Sequence, residues 1–148
     1  KIGMVFQDYR LINDYNVFEN IALPLQIQGE SNKYIKAKVY EIMEKVGLIQ
    51  RGTSYPNQLS GGEKQRVSIA RALVKNPLVI LADEPTGNVD SKTTDSLMEL
   101  ITSLNNEGTT VILITHDLEV AKICSRQLVL KDGCIETDSA GFYEESNE

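Results

Sequence analysis

The sequence is poor in features that mark several large protein classes. Its 148 residues include two cysteines, Cys124 and Cys134. They fit neither a metal-ligand spacing nor a disulfide framework, and are expected to be buried thiols in a reducing compartment. The single histidine, His116, has no second His or Cys at ligand spacing, so a zinc site on it is excluded. Long apolar runs are absent. The longest, residues 78–82, falls far short of the roughly 20 residues of a membrane-spanning helix. Positive charge is scarce: 15 Lys and Arg stand against 21 Asp and Glu, for a net charge of −6. An acidic chain is a poor general binder of nucleic acid or anionic lipid. Lys1-Ile2-Gly3-Met4 lacks the charged-then-apolar profile of a signal peptide, and no internal repeat occurs. What remains is an ordinary globular composition, 41% hydrophobic and 24% charged, long enough for one domain with a core. The expected compartment is the cytosol or the cytosolic face of a membrane complex.

Along the chain, residues 2–6 read as a short strand. Residues 17–27 are apolar, but Pro24 argues against one continuous helix there. Ile35, Val39, Ile42, Met43 and Val46 recur at helical spacing, predicting a helix over 31–46 with Gly47 as its stop. Ser60 can cap a helix running to about Val74, ended by Asn76-Pro77. Residues 78–82 predict a strand covered on both faces. Residues 91–106 predict a helix burying Leu97, Met98, Ile101 and Leu104. Residues 111–114 predict a second fully buried strand, and 118–124 a short helix. Strands at 127–130 and 134–137 predict a hairpin about Lys131-Asp132-Gly133. The alternation predicts an α/β fold with a parallel sheet. Residues 9–76 then form a mostly helical subdomain inserted into a core from 1–8 and 77–137, with 138–148 as a tail.

The chemistry sits at strand ends. Three apolar runs each close on polar groups: Phe6 on Gln7, Ala82 on Asp83-Glu84, and Ile114 on Thr115-His116. Parallel strands share a carboxyl edge, and open α/β sheets bind ligands there. Gln7, Asp83, Glu84 and His116 are therefore expected to converge. Asp83 and Glu84 are neighbours, so in extended backbone they point to opposite faces and suit different roles. One would hold Mg²⁺ and the other would orient and deprotonate a water. Pro85 is expected to keep Glu84 extended. Taken alone, the pair reads better as a helix N-cap. Ser60-Gly61-Gly62-Glu63 is either a capping box or an anion site whose glycines admit a phosphate. His116 suits a phosphate or a catalytic water, or else backbone groups nearby. Tyr9, Tyr15 and Phe18 read as packing residues, and Arg66 and Arg71 as a solvated or bridging face.

In order, these motifs resemble the nucleotide-binding domain of ATP-binding cassette (ABC) transporters. Leu59-Ser60-Gly61-Gly62-Glu63 with Gln65-Arg66 resembles the signature motif, residues 78–83 the Walker B motif, and Glu84 the catalytic glutamate. Gln7 resembles the Q-loop glutamine, Gly87-Asn88-Val89-Asp90 the D-loop with Val where Leu is usual, and Thr115-His116-Asp117 the H-loop. Residues 19–25, 81–88 and 130–133 are similar to the branch containing the MacB and LolD exporters and the cell-division factor FtsE. The resemblance implies a P-loop NTPase-type core and an ATPase that works with ATP and Mg²⁺. It implies a head-to-tail homodimer and a transmembrane permease subunit met by residues 9–29, at the cytoplasmic side of the membrane. Gln7 and Asp83 would serve the metal, Glu84 the water and His116 the γ-phosphate. Ser60, Gly61, Gly62 and Glu63 would meet the partner's nucleotide, and Asp90 would act across the interface.

One motif is missing. No G-x-x-x-x-G-K-[ST] occurs; Lys92-Thr93 falls where the D-loop belongs. The resemblance places that Walker A motif ahead of Gln7. The chain thus reads as the C-terminal two-thirds of such a domain with an incomplete core. It is expected to lack tight ATP binding and turnover alone. Its Walker B strand is expected to lack a neighbour, making the chain weakly stable, oligomeric or strand-swapped.

Overall fold

A computed structural model of the chain describes residues 2–140. It divides between Ile114 and Thr115 into two compact units. The first holds β1 (Ile2–Val5), α1 (Val17–Ile27), α2 (Asn32–Lys45), α3 (Gly61–Leu73), β2 (Val79–Asp83), α4 (Ser91–Asn106) and β3 (Thr110–Ile114). Short 3-10 turns lie at Ile49–Arg51 and Pro56–Gln58. The second holds α5 (Leu118–Ala121) and the antiparallel hairpin of β4 (Leu128–Lys131) and β5 (Cys134–Asp138). The predicted tail lies largely outside the described residues.

The sheet of the first unit is parallel, in the order β1-β2-β3. Register aligns Gly3, Ile80 and Val111 in one row and Val5, Ala82 and Leu113 in the next. This face is covered. Val5, Ile80 and Ala82 are buried and, with Val111, meet Ile69 of α3 and Ile101 and Leu104 of α4. Gly3 is required there, because a Cβ would stand 2.8 Å from the Ala72 carbonyl oxygen of α3. The alternate residues face the other way. Met4, Ile112 and Ile114 are 39%, 52% and 49% exposed.

Three expectations about the strands are thereby corrected. β2 is fully buried on one face only, and β3 is not fully buried at all, because both helices lie on the same side. A continuous apolar run cannot reveal whether both faces are covered. β2 also has β1 on one side and β3 on the other, so the Walker B strand does not lack a neighbour. The cysteines are corrected too: Cys134 is exposed on β5 and Cys124 half-buried.

Pro24 does not interrupt α1, contrary to the sequence expectation. An interior proline costs about 3 kcal/mol. Against it stand the buried Val17, Ile21, Ala22 and Leu25, packed on α2 and α3; the larger of these contribute roughly 1.5–3 kcal/mol each. The helix start is also saturated. Asn16 and Glu19 form a capping box, and the Val17 and Phe18 amides donate to the Ser54 and Gly52 carbonyls at 2.9 and 3.0 Å. Burial and capping outweigh the local penalty.

α2 and α4 fall where the spacing puts them, burying Ile35, Val39, Ile42 and Met43 and then Leu97, Met98, Ile101 and Leu104. Gly47 ends α2 at φ +72°, with Leu48 N–H on the Met43 carbonyl at 2.8 Å and Gly47 N–H on that of Glu44 at 3.1 Å. This double bond pattern needs a left-handed residue after the last turn.

Candidate functional site

Within the first unit, Asp83 ends β2 and Gln7 follows the end of the adjacent strand β1 at the carboxyl edge of the sheet. Val5 pairs with Ala82 and Asp83 with Ile114, so the chain leaves β1 and β2 at the same level. Asp83 is exposed and lies on the open face, in alternation with the buried Ala82. His116 follows β3 in sequence but belongs to the second unit. There it is exposed, in a turn where Asp117 N–H donates to the Thr115 hydroxyl at 3.0 Å and Asp117 caps α5.

Glu84 is not extended. Its φ is +45°, and Pro85 does not prevent this because proline disfavours the right-handed helical region for the preceding residue. The Glu84 N–H continues the ladder onto the Ile114 carbonyl at 2.8 Å, and its carbonyl accepts Gly87 N–H at 3.1 Å. Glu84-Pro85-Thr86-Gly87 is thus a tight turn with proline at its second position. A non-glycine residue at this φ is strained, and strain of this kind gathers at functional sites.

The Ser60 capping box is formed. Glu63 N–H donates to the Ser60 hydroxyl at 3.2 Å, and the Glu63 carboxylate accepts Ser60 N–H at 2.8 Å. The box does not use the Gly61 and Gly62 amides. The same carboxylate meets Arg51 at 2.7 Å. Arg51 therefore offsets the negative charge that would oppose an anion at this helix end. The Ser60 N–H, first, and Arg51 hold the Glu63 carboxyl below its ordinary value of 4.5. A lowered carboxyl contributes stability at higher pH and loses it as pH falls through the folded value. The α3 N-terminus is accordingly expected to lose hydrogen-exchange protection below about pH 4.5. Glu63→Gln, which keeps an acceptor without the charge, should remove that pH dependence; an unchanged acid profile in Glu63→Gln would assign it to another group.

The two glycines have an internal reason that sequence reasoning missed. A Cβ on Gly61 would stand 3.1 Å from both the Asn88 carbonyl oxygen and the Tyr9 hydroxyl, and one on Gly62 would stand 2.3 Å from Thr93 Cγ2. The start of α3 thus packs directly on residues 88–93. Thr93 cannot turn aside freely, because its hydroxyl and N–H bond Asp90 at 2.9 and 3.0 Å. Those bonds make Asp90 the cap of α4 and hold its carboxyl below the ordinary range. Gly62→Ala is expected to cost about 1–3 kcal/mol in urea unfolding. Thr93→Ser removes the colliding methyl and keeps the hydroxyl, so the double variant should recover most of that loss. A Gly62→Ala protein as stable as the parent would show the contact to be soft.

Arginines complete the arrangement. Arg71 donates to the Tyr9 and Arg10 carbonyls at 2.8 and 2.6 Å. Tyr9 and Arg10 sit at φ +60° and +48°, a left-handed pair that needs outside support. Arg10 lies 4.0 Å from the Phe6 ring centre. Arg66 bonds the Val46 carbonyl at 2.9 Å and the Ser96 hydroxyl, joining α3 to α2 and α4. Both arginines bridge elements.

A hard divalent cation takes oxygen donors. The exposed Asp83 carboxylate and the neighbouring Gln7 amide fit that chemistry. Among the described residues, no group of three or more His, Cys, Asp or Glu side chains is placed to hold a metal by itself. Mg²⁺ here would share its coordination with a ligand's oxygens and water, as is usual for this ion.

A parallel sheet with Gln and adjacent carboxylates at its carboxyl edge, beside a glycine-started helix, has the fold of the P-loop NTPases. The family model described as ABC transporter matches residues 1–87, and the chain belongs to that family. It is 46% identical over 145 residues to the cell division ATP-binding protein FtsE of Bacillus subtilis (strain 168), covering 97% of this chain and 64% of that protein. It is likewise 46% identical over 140 residues to the ABC transporter ATP-binding protein YknY of the same organism, covering 95% and 61%. Among solved structures it is similar to the dimeric post-hydrolysis state of the ATP-binding cassette MJ0796 bound to ADP and Pi, with a TM-score of 0.82, 43% identity, and coverage of 93% and 62%. A dimeric structure of the bacterial ABC transporter cassette MJ0796 also has a TM-score of 0.82, with 44% identity and the same coverage. The chain thus spans less than two thirds of the length of these relatives.

Proposed function

We propose that this chain is part of the ATP-binding and ATP-hydrolysing subunit of an ABC transporter or a related membrane complex. The carrying observation is Gln7, Asp83 and Glu84 at one sheet edge, followed by residues 88–93 on which the capped Ser60–Glu63 helix start packs. In this reading Asp83 and Gln7 hold Mg²⁺, which when bound neutralises phosphate charge. Glu84 orients and deprotonates the attacking water, and His116 contacts the γ-phosphate. Ser60, Gly61, Gly62 and Glu63 meet ATP held by a second copy, and Asp90 acts across that interface. The dimeric state of the MJ0796 cassette supports a homodimer.

The helical part, residues 9–76, would be a subdomain set into a core of 1–8 and 77–137, with 138–148 as a tail. Residues 9–29 would face the permease. An open groove of about 620 Å³ lies at the start of that stretch, lined by Asp8, Tyr9, Arg10, Leu11, Asn13, Asp14, Pro56, Asn57 and Lys64. No helix among the described residues is long and apolar enough to cross a membrane. Attachment at the cytoplasmic side is therefore proposed through that partner, and no nucleic-acid partner is proposed.

Affinity capture from detergent-solubilised membranes tests the reading. Co-purification with an integral membrane subunit supports it, whereas recovery with ribosomes or DNA points to a non-transport ABC ATPase. These 148 residues contain no Walker A motif, and by themselves they are expected to show no ATP turnover. Turnover by the 148 residues that Glu84→Gln abolishes would overturn that expectation.

A further inference from the structure

The site residues of the first unit are tied together by the side chains of Tyr9 and Asn88, neither of which is among the proposed catalytic, nucleotide-binding or metal-binding residues. The Asn88 side-chain amide donates to the main-chain carbonyl of Gln7 at 2.9 Å. The Tyr9 hydroxyl donates to the main-chain carbonyl of Asn88 at 3.3 Å. The Gln7 side-chain amide lies so close over Gly87 that a Cβ there would stand 2.7 Å from Gln7 Nε2. The start of α3 closes against the same two groups, so that a Cβ on Gly61 would stand 3.1 Å from both the Asn88 carbonyl oxygen and the Tyr9 hydroxyl. Behind them, Arg71 of α3 holds the Tyr9 carbonyl. The Tyr9 phenol is a donor at neutral pH, and burial raises its pKa further above the ordinary value of 10.

We propose that Tyr9 and Asn88 are positioning residues that bracket Gln7 to the helix start at Gly61. A shift of the Gln7 main chain would strain its bond to the Asn88 side chain, and a shift of Asn88 would strain the bond from the Tyr9 hydroxyl beside Gly61. The bracket couples the group proposed to serve a cation on one side of the loop to the helix start proposed to meet a second nucleotide on the other. This role rests on the ATPase reading, whereas the mechanical coupling does not.

The experiment has two arms. In the full chain, the Gly61 amide resonance is followed while Gln7 is replaced by Ala. This is done in the parent, in Tyr9→Phe, which removes only the hydroxyl, and in Asn88→Ala. Gln7→Ala is expected to move the Gly61 resonance in the parent and to move it several-fold less in either variant, a coupling read as in a double-mutant cycle. An equal response in all three backgrounds overturns the bracket. In an ATPase-active assembly containing this chain, Tyr9→Phe should lower kcat about tenfold or more, by misplacing a reacting-site group, with KM for ATP unchanged. A rise in KM with kcat intact overturns the positioning role. An assembly without ATP hydrolysis overturns the ATPase reading instead, and the resonance comparison then decides the bracket alone.

Discussion

Glu84→Gln in an ATPase-active assembly containing this chain is expected to lower ATP turnover by at least about a hundredfold, the usual weight of a positioned proton acceptor. ATP binding should persist. Gln has the size and polarity of Glu but cannot take a proton from water. The two main-chain bonds that set the Glu84 backbone survive the substitution. Glu84 is held at φ +45° by its N–H on Ile114 and its carbonyl on Gly87, and neither bond involves the side chain. The measurement separates kcat from nucleotide affinity. A Glu84→Gln assembly that keeps more than half of its turnover would remove Glu84 from the catalytic role. Asp83→Asn serves as the contrast: if Asp83 serves the cation, the half-saturating Mg²⁺ concentration should rise, whereas for Glu84→Gln it should not.

Much of this arrangement is legible in the sequence, for definite physical reasons. Helices α2 and α4 were legible because one apolar stripe at 3.6-residue spacing demands one buried face. The Ser60 box was legible because both partners lie within four residues. The parallel order of the strand ends followed from alternating strands and helices, which is why Gln7 and Asp83 were expected on one edge and are found there. The family was legible because its motifs are short and ordered.

What was not legible depends on groups far apart in sequence. Arg71 lies 62 residues from Tyr9, and Asn88 lies 81 from Gln7; no local pattern marks such bonds. Gly61 and Gly62 read as space for a phosphate, yet residues 88–93 of the same chain already require them to lack a Cβ. Both demands are compatible, since the Cβ position and the amide N–H point in different directions from each Cα. Pro24 was misread because the local penalty was counted without the burial that exceeds it. Ile112 and Ile114 were misread because hydrophobicity alone does not tell which side of a sheet its helices occupy. Glu84 was misread because the rule for residues before proline excludes one region of backbone space and leaves others open.

Asn20 shows how one buried polar group fixes a segment, and its replacement is expected to have the largest effect on stability. It sits on α1 with no solvent exposure. Its Oδ1 accepts Ile12 N–H at 2.9 Å, while the two N–H groups of its Nδ2 are shared among the Ile12, Tyr15 and Asn16 carbonyls at 3.1, 2.9 and 3.0 Å. Asn20 thus fastens residues 12–16 ahead of the helix. Asn20→Ala removes all these bonds at about 1 kcal/mol each, so urea unfolding should show a loss of about 2–4 kcal/mol. Asn20→Asp should cost more, about 3–5 kcal/mol near neutral pH, because an acceptor-only carboxylate would face three carbonyl oxygens unpaired. Its folded pKa would rise above the unfolded value. The folded state would then bind the extra proton, so Asn20→Asp should regain stability as pH falls through the folded pKa. Asn20→Ala should show no such recovery. If the two variants are equally destabilised at every pH, Asn20 acts by filling space, and the hydrogen bonds do not set its contribution.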